Sequence, residues 1–285
     1  MRKLYNIKII SKLINKLFPN LFFNFFHKKK ARLLKLSSPI YILSFDIDYS
    51  EDVLLIPKIL KTLKKYSIIS SFACIGKLIE KYPQIHKEII TQGHEILNHT
   101  YTHPNNKELN PNNFFYNLSL KEIKKEIKKC HIICKKILNY EPIGFRTPHF
   151  GKQHNYLVYK ILSELNYKYS SSTIDYMLQN YGIPFKTDTG ILEISMSCSY
   201  NFPFTLFDSY NTRVGAKALF KNDNEFIKEF ENTIIVLKNT KSFITHYFDP
   251  RDIIQNNKLE NMCGILQDNK IKTLSYKQIY GEYSG

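Results

Sequence analysis

Four short stretches of this 285-residue chain carry side chains able to do chemistry together. Asp46-Ile47-Asp48 follows the apolar run IYILSF. Carboxylates two apart in extended backbone share a face, and two acids so close need a cation or a positive side chain to stay ionised. His99 and His103 stand four apart in HEILNHTYTHP. On a helix that spacing makes a metal pair, but Pro104 disfavours the α region at His103, so a loop or the last turn of a short helix is expected. Two imidazoles and a carboxylate suit zinc and its first-row neighbours and leave positions open for water or substrate. Arg146, in GFRTPHF, is a good partner for a buried carboxylate. His246 closes the apolar run of SFITH, where an imidazole can move protons near neutral pH. Taken singly, each signal has a plainer reading: a turn, a helix cap, a surface arginine or a core histidine. His94 precedes a strand and reads as structural.

The elements that must position these groups alternate. IYILSF, SSFACIG, EILNH, GFR and SFITHYF read as strands. VLLIPKILKTLKKY, KLIEKYPQIHKEIITQ and the stretches 117–139, 153–166 and 224–238 read as helices. Such alternation predicts a parallel α/β sheet with helices outside, either open or closed into a barrel. In both cases the residues just after the strands converge at the carboxyl edge, where sites are built.

The composition, 43% hydrophobic and 23% charged, excludes disorder and fibre and fits one large domain. The net charge of +16 comes from 41 basic residues, of which only Arg2, Arg32, Arg146, Arg213 and Arg251 are arginines. That skew, with no nucleic-acid-reading motif, speaks against a nucleic-acid partner. Five scattered cysteines do not form a disulfide framework and suggest a reducing compartment. Cys130 and Cys134 fall with Ile123, Ile127 and Ile137 on one helical face, which reads as packing rather than half a metal site. Residues 1–39 form a basic amphipathic segment, interrupted by Lys8, Lys12 and Lys16 before any export-signal core, and no 18-residue uncharged stretch exists. Two readings stand: peripheral contact of 1–30 with an anionic membrane, or a helix packed on the main domain.

SFDIDYSED, GHEILNHTYTHP, GFRTPHF and SFITHYF, in this order, resemble the polysaccharide deacetylase family, carbohydrate esterase family 4, which shares the chitooligosaccharide deacetylase homology domain. The resemblance runs from about Ile40 to about Leu274. It implies a distorted, incomplete (β/α) barrel over 40–285, with the N-terminal segment as an extension. By the family pattern Asp46 is the general base and Asp48, His99 and His103 hold a divalent metal, zinc first, with iron, cobalt or nickel fitting the same donors. Arg146 orients the base, the backbone N–H of His149 serves the oxyanion, His246 is the general acid, and Asp175 of SSSTIDY tunes it. Departures from the pattern are the Asp-Ile-Asp spacing, which leaves the division of roles between Asp46 and Asp48 open, Tyr176 where Trp is common, and His149 in place of an aromatic.

The resemblance implies a metal-dependent hydrolase that removes the N-acetyl group from a sugar of a surface glycan or its biosynthetic intermediate. With the cysteine count and no export signal, the expected setting is cytoplasmic, at the membrane, with an N-acetylated or lipid-linked sugar as substrate. The alternatives are hydrolysis of another C–N bond, such as a cyclic amide, and a glycan-binding protein without turnover.

Overall fold

The computed structural model describes residues 17–177, 180–210 and 219–283. Strand β1 (Ile40–Ile47) is buried along its whole length, as a strand covered on both faces must be. It lies between β2 (Ser71–Cys74) and β8 (Phe243–Phe248), with parallel pairing on each side. Beyond β2 the sheet continues through β3 (Glu95–Asn98), β4 (Gly144–Arg146), β5 (Tyr169–Ser171) and β7 (Leu192–Glu193) to β6 (Phe185–Lys186), whose antiparallel pairing with β7 makes the sheet mixed. β9 (Lys272–Thr273) adds to the start of β1. Past β7 the chain returns to β8: Ser197 N–H donates to Thr245 O at 2.9 Å, and Thr245 Oγ1 to Ser195 O at 2.6 Å. The sheet therefore curls back on itself without a continuous ladder, the incomplete barrel expected.

Parity along β1 divides the interior. Tyr41, Leu43, Phe45 and Ile47 face the helices in one large apolar cluster, whereas Ile40 and Ile42 face the barrel with Leu97, Met196 and Tyr247. Asp46 belongs to the second set, so its carboxylate emerges inside the barrel at the end of the strand.

The outer layer holds helices α1 (Pro19–Leu34), α2 (Ser50–Lys65), α3 (Gly76–Lys81), α4 (Pro83–Thr91), α5 (Leu120–Leu138), α6 (Val158–Glu164) and α7 (Asp223–Thr240). The single helix expected over KLIEKYPQIHKEIITQ is two, because Pro83 supplies no N–H and forces Tyr82 to φ −130°, ψ 57°. α5 begins later than expected, where Ser119 and Glu122 form a reciprocal cap. Its inward face carries Ile123, Ile127, Cys130 and Cys134, all buried, which is the packing role expected for the two cysteines. α1 lies against the domain through Phe23, Phe26, His27 and Lys30, while residues 1–16 of the N-terminal segment lie outside the described residues. Among the described residues no helix is long and apolar enough to cross a membrane.

Candidate active site

β1, β3 and β4 end at the same edge of the sheet, with β2 between the first two, and residues at or just past their ends meet. Asp48 Oδ1 lies 3.3 Å from His99 Nε2 and 3.6 Å from His103 Nε2. These three donor atoms are buried, have no hydrogen-bond partner, and lie within 4.8 Å of one another. A carboxylate oxygen and two imidazole nitrogens, desolvated and facing a common point, fit a divalent metal of the zinc type. His99 Nδ1 donates to Arg146 O at 3.0 Å, which fixes the tautomer and leaves Nε2 with its lone pair inward. Burial takes His103 down to about 3, so it is a neutral ligand at pH 7. For Asp48, burial opposes ionisation but His103 and His99 outweigh it, holding the carboxyl well below its ordinary range.

The loop carrying the histidines is strained. Thr100 has φ +66° and His103 φ +51°, the left-handed region that a β-branched residue rarely enters. The turn is held from outside. Glu126 Oε2, on α5, accepts from the N–H of Tyr101 at 3.0 Å and of Thr102 at 2.7 Å, and Asn98 Oδ1 accepts from Thr100 N–H at 2.9 Å. The left-handed turn, rather than a helix, brings the two histidines together, as Pro104 led us to expect.

Asp46 and Arg146 form a buried pair, Nη1 to Oδ1 at 2.7 Å. Nη2 of the same guanidinium donates to Ser44 Oγ at 3.1 Å, Ser171 Oγ at 3.2 Å and Tyr276 Oη at 2.9 Å. Burial raises the Asp46 carboxyl above its ordinary range, and Arg146 limits that rise. The result is a carboxylate that is aimed and more basic than a free one. His149 follows β4, its Nε2 donating to Pro104 O at 3.0 Å and its ring 5.1 Å from that of His103. Beside it opens a cleft of about 300 Å³ lined by Pro148, His149, Phe150, Ile174, Phe204, Leu206, Tyr210 and Tyr247 among others.

His246 is not brought to this place, which corrects the sequence reading. In register it pairs with Leu43, on the helix-facing parity, opposite to that of Asp46. Its ring packs 5.1 Å from Phe207 and 5.6 Å from Tyr41, and its Nδ1 shares a 3.0 Å hydrogen bond with Tyr41 Oη. Burial takes it down to about 3, unsuited to delivering a proton at neutral pH. Asp175 is buried too, but its carboxylate faces Lys30 of α1 at 3.6 Å rather than an acid in the site. The neighbour that does face the cleft is Tyr247, opposite Ser44 in register. Its ring stacks on Phe150 at 5.3 Å, the Arg146 guanidinium lies 5.5 Å from it, and its hydroxyl donates to Asp208 Oδ2 at 3.1 Å. Strand alternation carried the signal for Tyr247, since a histidine and its neighbour cannot both point inward.

Sequence reading also missed Asp52. Its Oδ2 accepts from the N–H groups of Asp48 (3.2 Å) and Tyr49 (3.0 Å), and its Oδ1 accepts from Arg251 N–H at 3.1 Å, while the Arg251 guanidinium also pairs with it. Asn106 Nδ2 donates to Asp48 O at 2.7 Å. The backbone of the carboxylate ligand is thus clamped from both sides. An acidic residue in the first turn of α2 was the only hint.

Comparison with known proteins agrees with this geometry. Residues 35–170 match the profile of the polysaccharide deacetylase family. A peptidoglycan-N-acetylglucosamine deacetylase of Bacillus cereus is 33% identical over 132 residues, covering 45% of this chain and 44% of that protein. A chitooligosaccharide deacetylase of Azorhizobium caulinodans is 36% identical over 75 residues, covering 26% of this chain and 34% of that protein. The chain thus matches less than half the length of these relatives. Among solved structures, a polysaccharide deacetylase from Mycobacterium smegmatis has the same fold at a TM-score of 0.68 and 15% identity, covering 87% of this chain and 94% of that one. Asp46, Asp48, His99, His103, Arg146 and His149 all lie within the matched segment, whereas Asp175 and His246 lie beyond it. Residues 35–170 are therefore similar to the polysaccharide deacetylase family, and the chain shares its fold.

Proposed function

We propose that this protein is a carbohydrate N-deacetylase, hydrolysing the N-acetyl amide of an amino sugar to acetate and the free amine. The observation that carries the reading is the convergence of the Asp46–Arg146 pair with the Asp48, His99 and His103 donors beside one cleft. Names of relatives support it, since they act on peptidoglycan and chitooligosaccharides. Asp48, His99 and His103 would hold a divalent metal, with zinc the first choice for these donors and iron, cobalt or nickel behind it. When bound, such an ion supplies Lewis-acid polarisation of a carbonyl oxygen and lowers the pKa of water from about 15.7 toward about 7.

The chain's own residues do the rest. Asp46, raised by burial and aimed by Arg146, takes a proton from the attacking water. The N–H of His149 donates to the acetyl oxygen as negative charge develops there. The C–N bond breaks as the sugar nitrogen gains a proton. With His246 behind the sheet, the carboxylic acid just formed at Asp46 is the group placed to return it, so one residue serves as base and then acid.

As substrate we favour an N-acetylated sugar of a surface-glycan intermediate, lipid-linked, handled in the cytoplasm. The five cysteines, all free thiols and all buried, support a reducing setting. The test is acetate release from polymeric, oligomeric and lipid-linked N-acetylated sugars, with bound metal quantified in the same sample. Acetate that disappears in Asp46→Asn while metal is retained supports the reading. Metal without acetate on any N-acetyl sugar would refute it in favour of another C–N hydrolase.

A second reading, glycan binding without turnover, is favoured by the withdrawn His246 and by one neighbour in fold. That neighbour is a family 4 pseudoenzyme from Bacillus anthracis, at a TM-score of 0.54 and 15% identity, covering 86% of this chain and 66% of its own. It predicts saturable sugar binding with no acetate from any member of the panel.

A further inference from the structure

Helix α1 has one face that the fold uses and one that it does not. Phe23, Phe26, His27 and Lys30 are buried against the domain. On the other side Leu21 and Phe25 are 66% and 61% exposed and Lys28 and Arg32 are exposed too, while Leu17 and Phe18 just before the helix are 63% and 59% exposed and Lys35 at its carboxyl cap is exposed. At 100° per residue the four positions inside α1, Leu21, Phe25, Lys28 and Arg32, fall within an arc of about 60°, apolar toward the amino end and basic toward the carboxyl end. Leu21 and Phe25 on this strip, with Leu17 and Phe18 exposed just before the helix, are more apolar surface than a soluble face ordinarily shows.

From this face we infer a docking surface for an anionic lipid bilayer. Charge complementarity selects the occupant: the apolar end can enter the headgroup–acyl boundary while Lys28, Arg32 and Lys35 meet anionic headgroups. The surface also continues into the cleft. The Phe22 ring lies 5.8 Å from that of Phe204, and Phe204 lines the cleft beside Tyr247 and Phe150. A bilayer against α1 would therefore lie beside the cleft mouth, where the sugar of an acyl-anchored substrate would enter without leaving the membrane. This consequence for substrate class rests on the deacetylase reading; the docking surface itself does not.

The test is flotation of the full-length protein with vesicles of phosphatidylcholine alone or mixed with phosphatidylglycerol, alongside acetate release from a soluble chitooligosaccharide. The expected result is binding to the anionic vesicles that weakens as salt rises. Lys28→Gln/Arg32→Gln/Lys35→Gln should lower the partition constant about a hundredfold, taking about fivefold for each basic group at an anionic surface. Leu21→Ser/Phe25→Ser should lower binding even at low salt. Both variants should keep wild-type acetate release, since none of these side chains belongs to the site. Absence of vesicle binding, or binding unchanged in both variants, overturns the inference. So does a wild-type dimer in solution that Leu21→Ser/Phe25→Ser dissociates, because a second copy would then cover the face. Vesicle binding with no acetate from soluble, polymeric or lipid-linked N-acetylated sugars would overturn the deacetylase reading and leave the docking surface standing.

Discussion

Replacing His246 by glutamine separates the observed geometry from the role that motif order assigns to this residue. The side chain is wholly buried on the helix-facing side of β8, with one hydrogen bond, to Tyr41 Oη at 3.0 Å, and ring contacts to Phe207, Tyr41 and Phe248. Glutamine keeps a polar atom for Tyr41 but loses the ring packing. The hydrogen bond is worth about 1 kcal/mol, and an orphaned phenol would cost about 1–3 kcal/mol. A loss of about 2 kcal/mol corresponds to a Tm lower by roughly 4–8 °C in a domain of this size. A general acid removed from the reaction costs about 10²–10⁴ in rate instead. The two accounts are therefore far apart: acetate release within about threefold of wild type and a lower Tm, or a collapse of kcat with stability little changed. Calorimetry and initial-rate acetate assays on the same preparation decide between them. A hundredfold or greater loss of kcat at unchanged Tm would refute the placement of His246 behind the sheet.

Other outcomes follow from the same contacts. Arg146→Met leaves the buried Asp46 carboxylate without its partner, at an expected cost of about 3–5 kcal/mol; a Tm lowered by less than about 2 °C would contradict the buried pair. His99→Ala and His103→Ala should each lose bound metal, whereas Asp46→Asn should keep it, and metal analysis after gel filtration reads this directly. If Asp46→Asn lost the metal and Asp48→Asn kept it, the two carboxylates would exchange roles. His86 and His154, buried away from the site, are each held at about 4 by burial. Their neutral forms favour the fold, so their contribution is complete above the unfolded value of about 6.5 and falls as pH drops from there toward about 4. At pH 5.5 the two together should have cost about 3 kcal/mol, and a Tm that stays flat between pH 7 and 5.5 would contradict their burial as neutral imidazoles.

Much of the site was legible because its residues sit where strands end. The runs IYILSF, SSFACIG, EILNH and GFR marked four neighbouring parallel strands, and parallel strands with helical crossovers bring their carboxyl ends to one edge. That placed Asp46, Asp48, His99, His103 and Arg146 together. His246 failed for a related reason. A strand end marks the edge of the sheet but not the face, and only the pairing of Leu43 with His246 settles the parity. The short strands β5, β6, β7 and β9, of two or three residues each, have no periodicity to read. The buried roles of Asp52 and Glu126 were hidden because each acts on backbone N–H groups, which no side-chain pattern reveals.

Those backbone contacts explain how a strained site persists. Left-handed φ at both Thr100 and His103 costs on the order of 1–3 kcal/mol per residue, and a free loop would relax by turning one imidazole outward. Relaxation is opposed at three points. Glu126 holds the N–H groups of Tyr101 and Thr102, Arg146 O holds His99 Nδ1, and Thr100 Oγ1 accepts from His103 N–H at 3.0 Å. Opposite them, Asp52 and Asn106 grip the N–H and the carbonyl of Asp48. The three donor atoms are therefore gathered by contacts that do not involve a metal. Desolvating an aspartate and two imidazoles without partners is unfavourable by several kcal/mol, so the stable core of the domain holds these groups ready for a cation that satisfies all three at once. It follows that cation binding should raise Tm, through this linkage, more than it alters secondary structure.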